Sequence, residues 1–338
     1  LTPRPASVAS VSDAQPRAGQ ATQGEFAGMP TPLYAASPSR LLTWLDCPRR
    51  YRFQYLDKPR PAVRPPRAHT SIGVAAHNAL RDWWDQSDRT PEAGARLVRE
   101  SWVDLGFRDA AQSATWRERT QGEVTAYLSG VDPRRTPVGI ERTAAFKTDA
   151  LAFFGRIDRL DDRDGELVVV DYKTGRRPLS EEDARTSLPL ALYAAAVWRM
   201  FRRRCVRVEL HHVPTGKVAA YEHSDVSLVR KVREAESIAA DLRRVDAVYA
   251  VDGTDAACFP PRRSPLCQWC DYRAHCREGQ QAGPEKSSWA ALEESTDDRV
   301  TDEAHFGGTG EVDLVVGVRE PTGPASDGPQ RPDGPIGG

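Results

Sequence analysis

The segment "VVVDYKTG", residues 168–175, limits the fold more than any other stretch of the chain. Three β-branched residues in a row specify a buried strand. That strand then sets Asp171 and Lys173 two residues apart, on one face, before a Thr174-Gly175 break. Charges placed there are costly unless something compensates them. Just upstream, "LAFFGRIDRL" (151–160) predicts a second strand, and "DDRDGE" between the two holds Asp164-Gly165, a pair suited to a two-residue hairpin turn. A hairpin centred there pairs Arg163 with Glu166 and sets Asp158 opposite Asp171, with Cβ atoms ~4.5–5.5 Å apart and Lys173 on the same face. Two carboxylates and an ammonium are thereby gathered in one patch. A solvated sheet face carrying an Asp–Lys ion pair is one account of it. The flanking apolar runs favour another: a hard divalent cation that takes oxygen ligands from both carboxylates and offsets their repulsion.

The rest of the chain frames this hairpin. "SPSRLLTWLDCPRRYRFQYL" predicts a helix capped by Ser37 or Ser39, "PRPAVRPPR" (59–67) is a connector, and residues 70–86, 91–107 and 114–130 predict three more helices. Three consecutive strands follow over 138–148, 151–160 and 165–174. "SEEDARTSLPLALYAAAVWRMF" predicts a helix with a proline interruption. "CVRVELHHV" and "GKVAAYEHS" predict two further strands, and "VSLVRKVREAESIAADLRRV" an amphipathic helix. A cysteine-rich stretch, 258–276, closes the folded part. The expected class is α/β: a mixed central sheet, a helical N-terminal lobe over about 37–130 and a C-terminal cysteine clasp.

Composition adds limits. Residues 1–32 are biased to Ala, Ser, Pro, Gln and Gly, which predicts a disordered tail. Residues 284–338 carry 12 Asp/Glu against 4 Lys/Arg and are expected to be mostly disordered too, save for "EVDLVVGV", which could pair as a strand. That leaves 43 basic and 36 acidic residues in 1–283, a balance that fits an anionic partner. The 41 Arg against 6 Lys also fit a simple codon bias. No apolar run approaches the ~20 residues needed to span a bilayer, and the expected compartment is the cytoplasm. No phosphate-binding G-x-x-x-x-G-K-[ST] loop occurs, so any unwinding is expected to come from a helicase in trans.

"GRIDRLDDRDGELVVVDYKTG" resembles the core of PD-(D/E)XK nucleases of the RecB type, which include the nuclease domains of bacterial recombination helicase–nucleases and nucleases of CRISPR adaptation. The resemblance covers about residues 37–278, with its motifs in the expected order, and implies a restriction-endonuclease-like core over 33–283. It implies that Asp158 and Asp171 hold Mg²⁺ or Mn²⁺, that the Tyr172 carbonyl completes the inner shell, and that Lys173 orients or activates water. His77 in "GVAAHNAL" matches the family's upstream metal-binding histidine, although a lone helical histidine is also a common structural residue. Tyr193 in "LALYAAAV" matches a tyrosine near the family's site and could equally be core. Glu141 stands where relatives often carry an acid. The chain departs from the pattern at Pro189, where a Gln is common. The resemblance implies an exonuclease acting on single-stranded or frayed DNA ends in repair or recombination. The alternatives are a CRISPR-adaptation nuclease and a catalytically weak DNA-end-binding subunit of a helicase.

Cysteines are the second constellation. Cys267-x2-Cys270-x5-Cys276 and the distant Cys47 favour ligation over disulfides in an intracellular enzyme, and Cys-x2-Cys alone suits zinc. The split arrangement resembles the iron–sulfur subset of the same nucleases, which implies a [4Fe–4S] cluster on these four thiolates. Cys205 is expected in the core. Arg49, Arg50 and Arg52, interleaved with Tyr51, Phe53 and Tyr55, are candidate phosphate contacts, with the aromatics as packing.

Overall fold

Asp164 and Gly165 both adopt left-handed backbone conformations, with φ of 54° and 94°. That twist joins β3 (Leu151–Arg163) to β4 (Glu166–Lys173) in the register the turn demands, from Arg163–Glu166 to Arg159–Val170. The computed structural model describes residues 33–293 of the chain. Around the hairpin it builds a six-stranded mixed sheet. Along one edge of β3 runs β2 (Gly139–Lys147), antiparallel. On the other edge, β1 (Tyr34–Ala36) pairs in parallel with Leu151–Phe153. Beyond β4 lie β5 (Arg207–His212), parallel to it, and β6 (Lys217–Glu222), antiparallel to β5.

Each sheet face has its own helices. One core joins β1–β5 to α7 (Leu188–Phe201) and the 28-residue α8 (Asp225–Asp252), with Phe153, Ile157, Leu160, Val169 and Leu192 all buried. The other covers the β4–β5 half of the sheet with α3 (Ala68–Trp83), α4 (Pro91–Glu100) and α5 (Ala110–Ser129), centred on Trp83, Val168, Val170 and Tyr172. Asp109 caps α5, and Thr90 with Pro91 in the first turn starts α4.

Several boundaries differ from expectation, each for a local reason. Ser37 is the N-cap of α1 (Pro38–Asp46); Pro48 then restarts the chain as α2 (Pro48–Tyr51) instead of continuing one helix. The expected helix over 180–201 is two: α6 (Glu181–Thr186), opened by a Ser180–Asp183 capping box, and α7, in whose first turn Pro189 sits. The proline therefore opens a helix and interrupts none. Packed structure also continues past residue 283. Glu285 pairs with Arg64 at 2.8 Å, Ser288 accepts the Ala68 N–H, and Leu292 is buried against Ala68 and Ile72. The rest of the expected acidic tail, with its candidate strand, and the N-terminal tail lie outside the described residues. No described helix is long and apolar enough to cross a membrane.

Candidate active site

The site lies at a notch in the sheet. On its inner edge β3 is met first by β1, at Leu151–Phe153, and next by β4, at Arg159–Arg163. Residues 154–158 face the gap between them. The hairpin ladder stops one pair short of Asp158 and Asp171. Continuing the register sets those two opposite each other, as the sequence predicts, but the strands part first. The Tyr172 N–H, released from the ladder, donates to the Asp158 carboxylate at 2.8 Å.

The pleat shifts at the same place. Ile157 and Leu160 both belong to the core under α7, while Arg159 between them reaches the other layer to bond Tyr127 and Tyr172. On the neighbouring strand Glu141 has a φ of 46°. The pairing is the same on either side, Arg142 with Ile157 and Ile140 with Arg159, so both strands turn together. Such irregularities re-aim side chains beside active sites.

Around the notch the charged groups converge. Lys173 Nζ lies 2.5 Å from the buried Asp171 Oδ2. His77, on α3, places Nδ1 3.5 Å from Asp158 Oδ2 and sets its ring edge-to-face on Tyr172. Gly73, one turn earlier, permits that approach: a Cβ there would sit 3.2 Å from Thr174 Oγ1. Burial, reinforced by repulsion from Asp171, pushes the Asp158 carboxyl well above the usual range. Burial also pulls His77 down, against the attraction of Asp171, so its imidazole is neutral at pH 7. For Lys173 burial works against the charge, and the adjacent Asp171 outweighs it and raises the pKa.

The carboxylate pair suits a hard cation. Asp158 and the buried Asp171 repel each other, and the Lys173 charge beside Asp171 does not cancel that repulsion. Among the described residues no three His, Cys, Asp or Glu side chains are gathered into a metal-holding group. A Mg²⁺ ion does not require one, since it keeps several waters and takes one or two carboxylates plus substrate phosphate.

Behind the site runs a buried polar chain that the sequence reading missed. Arg159 donates to Tyr172 Oη at 3.0 Å and Tyr127 Oη at 3.3 Å; Tyr127 meets His211 Nδ1 at 2.7 Å; His211 Nε2 meets Glu209 at 2.9 Å. Arg163 clamps Glu209 with two 2.7 Å bonds. This chain anchors the ring of the residue whose N–H holds Asp158. A charged Arg159 inside a buried strand, and Glu209 with His211 in the next, were the available signals.

Other expected residues make different contacts. Tyr193 packs in the core beneath β3, its ring 6.0 Å from Phe153, and fills the space a Gly155 Cβ would need, 2.7 Å away. Arg49 donates to the Phe259 carbonyl, Arg50 pairs with Asp46, and Arg52 binds Asp57 and the Thr254 carbonyl. Arg49 and Arg52 are thus engaged by the protein, while Arg50 makes only a loose 3.7 Å pair. Tyr51 and Phe53 are buried, as expected of packing. Cys205 is fully buried.

The cysteine clasp is partly assembled. Cys47 Sγ accepts the Arg262 N–H at 3.4 Å, and Cys267 Sγ accepts the Ser264 N–H at 3.5 Å and contacts the Arg262 carbonyl. Cys276 Sγ accepts the Gly279 N–H at 3.4 Å, and its thiol points to Glu278. All six cysteines are free thiols. Cys47 and Cys267 both lie against Arg262, but among the described residues no three cysteines are grouped as metal ligands, so the expected four-thiolate cage is not formed there.

Residues 35–277 match the profile of the PD-(D/E)XK nuclease superfamily. Over 197 residues the chain is 27% identical to the Gene 69 protein of Mycobacterium phage D29, which covers 58% of this chain and 65% of that protein. The chain thus spans just under two thirds of that relative's length. Among solved structures, SSO0001 aligns at 14% identity and a TM-score of 0.33, covering 73% of this chain and 87% of that one. An exonuclease candidate from Eubacterium rectale aligns at 10% identity and a TM-score of 0.31, covering 62% and 91%.

Proposed function

Because the chain belongs to the PD-(D/E)XK nuclease superfamily, we propose that it is a metal-dependent deoxyribonuclease that degrades single-stranded or frayed DNA ends, in repair or recombination. The observation that carries this reading is the Asp158–Asp171 pair, the second of them buried, with Lys173 2.5 Å from Asp171. Asp158, Asp171, the Tyr172 carbonyl and the neutral His77 imidazole would hold Mg²⁺ or Mn²⁺, which supplies charge neutralisation at the phosphate and a lower pKa for the attacking water. The chain's own groups do the rest. The Tyr172 N–H fixes the Asp158 carboxylate, and the Arg159–Tyr172 bond fixes Tyr172. Lys173, kept protonated by Asp171, places a compact positive charge where charge builds on the phosphorane.

Digestion of single-stranded DNA in Mg²⁺, labelled at each end in turn, tests this. Wild type should shorten the strand progressively from an end, and Lys173→Ala should not. Equal, slow degradation by both proteins removes the enzymatic reading and leaves a DNA-end-binding subunit.

For the clasp we favour a [4Fe–4S] cluster on Cys47, Cys267, Cys270 and Cys276, with zinc as the alternative. Three of the sulfurs already receive backbone N–H groups, a feature of cluster thiolates. Iron and sulfide analysis after anaerobic purification decides it: a colourless protein with stoichiometric zinc rejects the cluster.

A further inference from the structure

Two of the three arginines expected to grip DNA, Arg49 and Arg52, are engaged by the protein, which leaves room for another route of a substrate strand to Asp158. On β3, Phe153 and Ile157 are buried under α7 and Gly155 lies over Tyr193. The alternate residues, Phe154 and Arg156, therefore project from the opposite face. The helical layer there covers β4 and reaches β2 only at Ile140, leaving the stretch around Phe154 and Arg156 open. Phe154 is 48% exposed and the Arg156 side chain 60%. Beside them on β2 stand Ala145, paired with Phe154, and Thr143, paired with Arg156, with the exposed Lys147 farther along. The strip is thus floored by small side chains and carries one bare ring and two cations. It leads directly to the notch: Arg156 precedes Asp158 by two residues and Phe154 by four, about 7 and 13 Å along the strand. Arg156 meets Glu141 only loosely, at 3.6 Å, an exposed pair of the kind that contributes little and that a phosphate can displace.

We propose that this open strip is the track of the DNA strand being cut, with Phe154 stacking a base and Arg156 contacting a phosphate on the approach to Asp158. The proposal rests on the nuclease reading for its substrate class. The occupant follows from continuity with the catalytic strand and from the strip's charge. An aromatic platform with flanking cations holds single strands with little sequence preference.

The test is fluorescence anisotropy of a labelled oligothymidylate with the full chain in EDTA, which separates binding from cleavage. Phe154→Ala should weaken binding on the order of tenfold, Phe154→Leu should do the same because it lacks a π-face, and Phe154→Tyr should bind as wild type. Arg156→Ala should weaken binding and flatten the salt dependence by about 0.7 in log–log slope. Full binding by Phe154→Leu, or wild-type affinity and slope in every variant, overturns the track. So does a change in oligomeric state without a change in DNA affinity, which would make the strip a contact between copies. A protein that binds through Phe154 yet never cuts DNA in Mg²⁺ loses the nuclease reading and keeps the track. A protein that cuts while all variants bind normally loses the track alone.

Discussion

Lys173 Nζ stands 2.5 Å from Asp171 Oδ2, so the one ammonium of the site is held by the more deeply buried of its two carboxylates. This pairing predicts distinct effects for two substitutions. Lys173→Ala should lower the cleavage rate by about 10²- to 10⁴-fold, the usual range for a lost proton-transfer or charge-stabilising group. Lys173→Arg should recover little, since a planar guanidinium does not reproduce a compact charge at this spacing. Single-turnover digestion, with DNA affinity measured separately in EDTA, checks both. Unchanged rates in Lys173→Ala would remove the residue from the chemistry.

Much of this arrangement was legible in the sequence, because local rules and burial agreed there. Asp164-Gly165 specifies its turn, and the turn specifies the register from Arg163–Glu166 onward. The parting of the strands at Asp158 was not legible. It depends on β1 occupying the far half of β3's edge, a pairing of residues more than a hundred positions apart. The same holds for Arg159 and Glu209, whose partners arrive from α5 and β5. Arg49 and Arg52 looked available in sequence because their partners Phe259 and Thr254 come from the far end of the fold.

The raised carboxyl of Asp158 makes folding and function oppose each other. Its pKa is elevated by burial and by Asp171, from 3.8 to well above it. The stabilising neutral form is complete below the unfolded value and is lost as pH rises through the folded one. At pH 7 without cations, Asp158→Asn should therefore melt above wild type, since the amide oxygen can still accept the Tyr172 N–H. The gap should narrow on acidification and on adding Mg²⁺ to wild type, while the variant loses cleavage. Melting curves at pH 4, 5.5 and 7 test this; a less stable Asp158→Asn at pH 7 contradicts it.

Gly155 leaves room for Tyr193 under the strand that carries Asp158. An alanine Cβ would lie 2.7 Å from Tyr193 Cε1 and 3.1 Å from Pro38 Cδ. Gly155→Ala should cost about 1–3 kcal/mol through overpacking. Tyr193→Phe/Gly155→Ala should relieve little of this, because it removes the 3.1 Å contact with Tyr193 Oη but leaves the 2.7 Å contact with the ring, whereas Tyr193→Ala/Gly155→Ala should regain more. Urea midpoints of the single and double variants measure the coupling.

Glu209 gives the fold its acid limit. Burial alone would raise its pKa, yet hydrogen bonds from His211, Arg163 and Arg207 outweigh that and hold it well below 4.5. Because Glu209 only accepts, His211 donates from Nε2, and its Nδ1 is free to accept the Tyr127 hydroxyl. A depressed carboxylate stabilises the fold above the unfolded pKa and loses that contribution as pH falls toward the folded one. Glu209→Ala should therefore destabilise the protein by about 3 kcal/mol at pH 7, at the lower end for a broken buried pair because both arginines are partly exposed. The difference from wild type should shrink steadily below pH 4.5. Urea unfolding at pH 7 and at pH 3.5 checks the sign: a deficit that stays constant with pH would mean that Glu209 acts through packing and not through its charge.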